Sequence, residues 1–582
     1  MPESAELTRE PASAAVQVLI NHSNDRDASN QWQRALVQGC EVYCYGQPLQ
    51  KECRTAASPG LIGQLYRAQG SEFIHGLTGH YALIIDDRRS GTCHVFADRF
   101  ATHRLYYRSL SCGLIIADNL QALRGAVTEP LTLSRQAVVN YLYHHMIPSP
   151  KTVYEGVYCL EPAQRVTWRQ GALSTETWWQ PAFEQQTSQS EQQLADELFV
   201  LMQDVVADYC TKDKTGCFLS GGLDSSSLAG LVSQSIPSPE VFSIGFPIAQ
   251  YNEIDYARAA VEHFGLNGHE YCMTPQDVVA ALPQVVGSMD QPFGNSSVIP
   301  TYFCAQLARS QGVNRLIAGD GGDELFAGNQ RYATQLQRDR WRQRLKPLIG
   351  MLDLTLLRSS LPDSPALLGK AKSFTRQLKM TIPENVQYYN FLNLLDRKAI
   401  FSASVVKGVD LFEPDRQCQQ LYDVLPDASP LDRLLYLDWK HTLADNDLVK
   451  VNSMCRLAGV DVVYPMLDDR LVDYSLRVPA SIKLTRGNLR HLYKRAMGGF
   501  LPDKILHKTK HGFGLPFGLW TKDHPQLQKL AYEAIDSLRR YDLFQKKFID
   551  EAINRHKSGH ASYYGELVWV LMVLALWLDR NY

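Results

Sequence analysis

GCFLSGGLDSSSLAGLVSQ, running from Gly216 to Gln234, decides how the larger part of this chain folds. GCFLS reads as a short buried strand ending at Ser220, two adjacent glycines break it, and SSSLAGLVSQ opens a helix. At such a turn the glycines let backbone N–H groups point inward, and the helix N-terminus adds partial positive charge. Hydroxyls at Ser220, Ser225 and Ser226 supply further donors, so the segment is an anion cradle suited to phosphate. It is not the G-x-x-x-x-G-K-S/T loop, because no lysine follows, and the G-x-G-x-x-G dinucleotide fingerprint is absent. A carboxylate at Asp224 beside phosphates needs a cation between them, and Mg²⁺ arriving with a nucleotide is the natural one.

Working outward, VFSIGF at Val241 reads as a second buried strand, IDYARAAVEHFG as a helix, and NRLIAGD at Asn314 as a third strand. Short apolar strands alternating with helices imply a parallel sheet covered on both faces. A second acidic, glycine-rich turn, GDGGDE at Gly319 to Glu324, follows RLIAG. It belongs at the same carboxyl edge, where open α/β sheets bind ligands. Asp323 is then the candidate second metal carboxylate beside Asp224.

Upstream lies a helix-like ELFVLMQDVVADYC, and before it the glutamine-rich QPAFEQQTSQSEQQ from Gln180 to Gln193, which lacks aliphatic periodicity and reads as a linker. Still earlier, HYALIID, CHVFADRF and LYYRSLSCGLIIAD are short runs punctuated by glycine, as in an antiparallel, β-rich domain. The expected division is therefore 1–185 and 190–582.

The chain has 582 residues, 45% hydrophobic and 21% charged, which excludes wholesale disorder and a fibrous repeat. With 59 Lys+Arg against 61 Asp+Glu there is no global attraction to nucleic acid or to an anionic membrane. The first twenty residues lack a basic n-region, and the longest apolar run, Leu567 to Leu578, reads as a buried C-terminal helix. A cytoplasmic protein is expected, without nucleic-acid or membrane partners. Twelve cysteines contain no C-x-x-C pair, which argues against a zinc site and a disulfide scaffold. Cys40 and Cys44 read as buried small residues. Ten Lys/Arg face three acids between Arg338 and Lys379, either as a solvated helical surface or as a docking face for an acidic partner or peptide.

SGGLDSS, VFSIGF, DQPFGNSSVIPTY at Asp290, GDGGDELFAG, DLVKVN at Asp447, YPMLDDRLVDY at Tyr464 and KHGFGLP at Lys510 together resemble the synthetase domain of the asparagine synthetase superfamily. LTGHYALIIDD, ADRFATHRLYY and LIIADNLQALRG resemble its class II glutamine amidotransferase domain. The resemblance implies an α+β amidotransferase-like β-sandwich followed by an α/β domain of the adenine nucleotide α-hydrolase type. It implies ATP and Mg²⁺ as cofactors. Leu219, Ser220, Gly221, Gly222, Asp224, Ser225, Ser226 and Gly319 would hold the nucleotide phosphates, and Ile244 would sit by the adenine. Asp224 and Asp323 would bind the metal. Lys510 would meet pyrophosphate and developing negative charge. Asp320 occupies a variable position and is a candidate base or substrate contact.

Departures from the family bear on the substrate. Residue 2 is Pro2 where the amidotransferases expose a cysteine, so glutamine hydrolysis is not expected. Asn452, Asp461 and Val463 replace the family's usual Asp, Glu and Arg, which weakens the case for free aspartate as substrate. An ATP-activating site without an ammonia source should join a carboxylate to an amine that arrives with the substrate. The resemblance is most to the macrolactam synthetases (cyclases) of lasso peptides. Their partners would be a precursor peptide and a leader-peptide protease or recognition protein. A β-lactam synthetase, an ammonia-dependent asparagine synthetase and a non-catalytic binding protein are the alternatives.

Overall fold

The computed structural model describes residues 15–20, 32–111, 113–210, 214–352, 366–388, 390–508 and 514–582. They form two compact units. The first takes the residues up to Ala137 together with Pro148–Gln180, and the second takes Val138–Ile147 together with Pro181–Tyr582. The ten-residue excursion Val138–Ile147 thus joins the second unit, although strand-rich sequence flanks it on both sides.

Among the described residues the first unit holds ten strands: β1 (Ala15–Leu19), β2 (Gln33–Val37), β3 (Cys40–Gln50), β4 (Leu77–Asp87), β5 (Thr92–Ala97), β6 (Tyr106–Leu110), β7 (Gly113–Ala117), β8 (Tyr158–Cys159), β9 (Gln164–Arg169) and β10 (Ala172–Thr177). One sheet runs β1-β7-β6-β8 and the other β10-β9-β5-β4-β3-β2. All pairings are antiparallel except β1 with β7, which is parallel. Alternation along β4 explains the layering, because successive side chains of a strand face opposite ways. Ala82 and Ile84 join Val95, Leu114 and Ile116 in a core shared by both sheets. Tyr81, Leu83 and Ile85 face the other way, onto Ile62 and Tyr66 of the helix Pro59–Gln69. Cys40 and Cys44 are buried in this second core as free thiols.

The second unit is built on five parallel strands: β11 (Thr215–Phe218), β12 (Glu240–Gly245), β13 (Asn267–Cys272), β14 (Arg315–Ile317) and β15 (Asp461–Val463). Their order is β13-β12-β11-β14-β15, with Cys217 opposite both Val241 and Ile317. The chain starts in the middle, winds outward through β12 and β13, then returns to β14 on the other side of β11. The gap between the carboxyl ends of β11 and β14 is therefore the topological switch point, where open α/β sheets form their ligand crevice.

The helix before β11 begins within the glutamine-rich stretch, at Glu191, earlier than its aliphatic pattern suggests. Ser190 accepts from the Gln193 backbone while the Gln193 side chain accepts from the Ser190 backbone, a reciprocal cap that fixes the start. The C-terminal helix Ala561–Asn581 is long and apolar enough to cross a membrane, but every residue from Leu567 to Leu578 except the half-buried Leu576 is buried in the protein. It is the core helix of the second unit.

Candidate functional site

The two motif loops leave β11 and β14 side by side at the switch point. After β11 the chain turns through Gly221, whose φ of +68° favours glycine. The helix Leu223–Ser235 then starts without a side-chain cap, its N-terminal donors left for a ligand. The loop is held in shape by its own hydroxyls. Ser220 Oγ accepts from the Gly222 backbone at 3.3 Å and lies 3.1 Å from Ser225 Oγ, which accepts from the Ser220 backbone at 3.2 Å.

The β14 loop closes against this cradle. A Cβ on Gly322 would overlap the Asp224 carboxylate, so only glycine lets the two turns approach. Asp224 and Asp323 converge on one buried guanidinium. Arg490 donates to Asp224 through Nη1 at 2.8 Å and Nη2 at 2.6 Å, and the same Nη2 contacts Asp323. Burial raises the Asp224 pKa despite the opposing Arg490 charge. Two carboxylates that share one cationic nitrogen form an all-oxygen donor set close enough to share a divalent ion, so Asp224 and Asp323 would suit Mg²⁺. Arg490 holds that position in this structure.

These loops floor a cavity of about 760 Å³, within the range of roughly 300–1,000 Å³ usual for small-molecule sites. On one side Leu219, Phe242, Ile244, Ile505 and Leu506 supply an apolar wall suited to a base. Lys508 closes this end: its ammonium is nearly buried, pairs with Glu253 at 3.0 Å, donates to the Gly221 carbonyl at 3.2 Å and sits 4.5 Å from the Tyr256 ring centroid. Burial lowers its pKa, with Glu253 opposing. On the other side stand Asp320, Glu324, Asp447 and Lys450. Lys450 donates to Asp447 at 2.6 Å, and Asp447 and Asp320 hold its pKa up against burial. Burial raises Asp320 to about 6, with Lys450 pulling it down and Asp447 pushing it up. Glu324 is raised well above its ordinary value by burial and by Asp447 and Asp438.

Of the expected residues, the structure brings Leu219, Ser220, Gly222, Asp224, Ser225, Ile244, Gly319, Asp320 and Asp323 onto this one cavity. Gly221 is not on the cavity wall, since it packs against Tyr256 and Ala257 and offers its carbonyl to Lys508. Ser226 corrects one expectation. It is fully buried, its Oγ has no partner, and it does not line the cavity. Each helical residue turns about 100°, so a side chain one step beyond Ser225 rotates from the cradle into the core. Lys510 lies outside the described residues. Sequence reading gave no role to Arg490, Lys450, Lys494 or Lys508, although Lys450 stands within DLVKVN and Lys508 directly precedes the Thr509–Lys510 pair.

Among the described cysteines of the first unit, Cys40 and Cys44 are unsuited to nucleophilic work. Burial pushes their thiols up to about 11 and about 12, and the thiolate is the reactive form. Asn452 accepts from the Tyr464 hydroxyl at 2.9 Å, while Asp461 and Val463 are half-buried in the edge strand β15.

A phosphate cradle and paired carboxylates at the switch point of a parallel sheet define an enzyme that works on a nucleotide triphosphate. The sequence pattern of the asparagine synthase family matches residues 197–579, and that of a glutamine amidotransferase domain matches residues 28–179. The chain belongs to the asparagine synthase family. Among its relatives, a Mycobacterium tuberculosis protein provisionally named a glutamine-hydrolysing asparagine synthetase is 26% identical over 527 residues, covering 88% of this chain and 78% of that protein. Asparagine synthetase (glutamine-hydrolysing) 1 of Bacillus subtilis is 24% identical over 534 residues, covering 89% of this chain and 80% of its own. The protein is accordingly an ATP-dependent, AMP-forming carbon–nitrogen ligase that uses Mg²⁺.

Proposed function

We propose that this ligase is a macrolactam synthetase of the lasso-peptide kind: it adenylates a side-chain Asp or Glu of a precursor peptide and joins it to the peptide's own N-terminal amine. The supporting observation is the helix Gln330–Leu352, whose first residue lines the cavity. At 1.5 Å per residue it carries Arg340, Arg344 and Lys346 to roughly 15–24 Å from that rim. All three are exposed, as is Trp341, whereas Arg342 is tied to Asp339 at 3.0 Å. A basic, aromatic-bearing rail starting at a reaction chamber fits an extended peptide of about seven residues, at roughly 3.3 Å each. A free amino acid would have no use for it.

In this reading the cradle of Ser220, Gly222 and Ser225 orients the phosphates and the apolar wall at Ile244 takes the adenine. Asp224 and Asp323 would hold Mg²⁺, which neutralises phosphate charge as pyrophosphate departs. Arg490, released from the two carboxylates, is placed to meet phosphate oxygens, and Lys508 adds positive charge beside the loop. The substrate carboxylate attacks the α-phosphorus and pyrophosphate leaves. The amine then attacks the acyl carbon, AMP leaves with one carboxylate oxygen, and one proton must be removed from the nitrogen. Asp320, held near pH 6, is ionised at neutral pH and faces the chamber as the base, and Lys450 and Asp447 set its charge environment. An amine held beside the adenylate outcompetes water because its effective molarity reaches on the order of 10⁵ M or more.

The test compares a core peptide bearing a free N-terminus with its N-acetylated form, each with ATP and Mg²⁺. The free peptide should give AMP, pyrophosphate and a product lighter by one water that no longer reacts with amine reagents. Faster turnover of aspartate with ammonium, or of a small β-amino acid, would overturn the peptide reading.

A further inference from the structure

Outside the ATP chamber, His144, Cys418 and His441 bring their ligand atoms within 4.8 Å of one another. We infer that these three side chains form a site for a divalent borderline metal, zinc in the first instance, with a solvent molecule in the fourth position. The three ligands all lie in the second unit, on three different elements. His144 ends the helix Arg135–His144, Cys418 lies in the helix Glu413–Asp423, and His441 lies in the π-helical segment Trp439–Asp447. Positions 144, 418 and 441 make no spacing motif, so the absence of a C-x-x-C pair does not bear on this site.

Several observations point to a ligand. The His144 Nε2 atom is buried and has no hydrogen-bond partner, a condition native proteins avoid unless something is bound there. The His144 and His441 rings meet at 5.0 Å between centroids and 66° between planes. The neighbouring His145 is engaged elsewhere, with Glu566 at 3.3 Å.

The frame is fixed independently of any ion. Tyr143 donates to Asp415 at 3.0 Å, Asn140 donates to Glu413 at 3.0 Å, and Arg397 Nη2 donates to Asp415 at 3.0 Å. The first two bonds tie the helix bearing His144 to the helix bearing Cys418, and the third anchors the latter to the short helix Arg397–Ile400. A tetrahedral ion with bonds of about 2.0–2.3 Å sets its ligands roughly 3.3–3.6 Å apart, so closure needs shifts of only about 1 Å. Two nitrogens and one sulfur suit zinc, whereas Mg²⁺ takes oxygen. Binding replaces the Cys418 S–H bond by an S–metal bond and releases one proton. The ion then fixes one side of the π-helical segment, whose Thr442 and Asp447 line the ATP chamber.

The full chain, stripped by chelator, is titrated with Zn²⁺ and separately with Co²⁺, in excess Mg²⁺ so that the chamber carboxylates are masked. One equivalent should bind, and Co²⁺ should give the thiolate charge-transfer absorption and intense visible bands of a tetrahedral site. Cys418→Ser should lose the charge-transfer band, and His441→Ala should lose the stoichiometric equivalent. Where a variant fails to fold, alkylation of the wild type decides, in a urea concentration at which the buried Cys418 of the chelator-stripped chain becomes reactive: Zn²⁺ should protect Cys418 and leave the exposed Cys53 reactive. A cobalt complex without a thiolate band, a band that persists in Cys418→Ser, or alkylation of Cys418 unaffected by Zn²⁺ would overturn the site.

Discussion

Replacing Arg490 by alanine removes a cation shared by Asp224 and Asp323. The guanidinium side chain is 7% exposed and the two carboxylates 17% each, so solvent screens the cluster weakly. Oxygens bonded to a single nitrogen lie about 4–5 Å apart, and at an effective dielectric near 20 their repulsion is roughly 3–4 kcal/mol once the cation is gone. Stripping one partner from a buried ion pair costs about 3–5 kcal/mol by the same physics. Arg490→Ala should therefore lower the unfolding free energy of the second unit by about 3 kcal/mol or more in the presence of a chelator. A divalent ion placed between the same carboxylates restores the missing charge. Saturating Mg²⁺ with pyrophosphate should recover more than half of the deficit, and should stabilise the variant more than the wild type, in which Arg490 must first be displaced. Urea unfolding followed by tryptophan fluorescence, with and without Mg²⁺ and pyrophosphate, measures both quantities. A deficit of the same size in both conditions would refute the assignment of Asp224 and Asp323 as a shared cation site.

Other consequences concern the same chamber. Asp320, raised to about 6, should give kcat/KM a rise with pH through an apparent value near 6, absent in Asp320→Asn. Its raised pKa also means that its contribution to stability is fully present below about 4 and is lost as pH rises through about 6, so the Asn variant should flatten that part of the stability profile. Gly322→Ala drives a methyl group into the Asp224 carboxylate and should cost at least 10²-fold in AMP formation while circular dichroism stays unchanged. Reversing charge at Arg340, Arg344 and Lys346 together should raise the peptide KM severalfold and flatten its salt dependence, leaving the KM for ATP unmoved; an unchanged peptide KM would return the helix to a plain solvated surface.

The parallel sheet and the switch-point loops were legible because each rests on local chemistry: apolar strands, paired glycines and a helix start. The strands β13 and β15 were not. NGHEYC is an edge strand of mostly polar residues, and DVV is three residues long, so neither carries a buried-strand pattern. The helix start at Ser190 was hidden because its signal is a reciprocal side-chain cap within polar sequence, not a hydrophobic period. In the chamber, the residues of the two glycine-rich loops were found, whereas Lys450 within DLVKVN and the residues delivered by distant segments were not. Arg490 reaches Asp224 across 266 positions, a distance that no periodicity encodes. Ser226 shows the converse: its place in the motif suggested a ligand, but helix geometry turns it inward.

The most direct measurement of the proposed chemistry follows oxygen. A core peptide whose acceptor side-chain carboxylate carries ¹⁸O in both positions is incubated with the enzyme, ATP and Mg²⁺, and AMP and peptide are weighed by mass spectrometry. The expected result is AMP carrying one ¹⁸O, pyrophosphate carrying none, and a peptide that keeps one ¹⁸O, has lost one water and has a blocked N-terminus. Unlabelled AMP, release of ADP, or a dehydrated peptide with its N-terminal amine still free would contradict it.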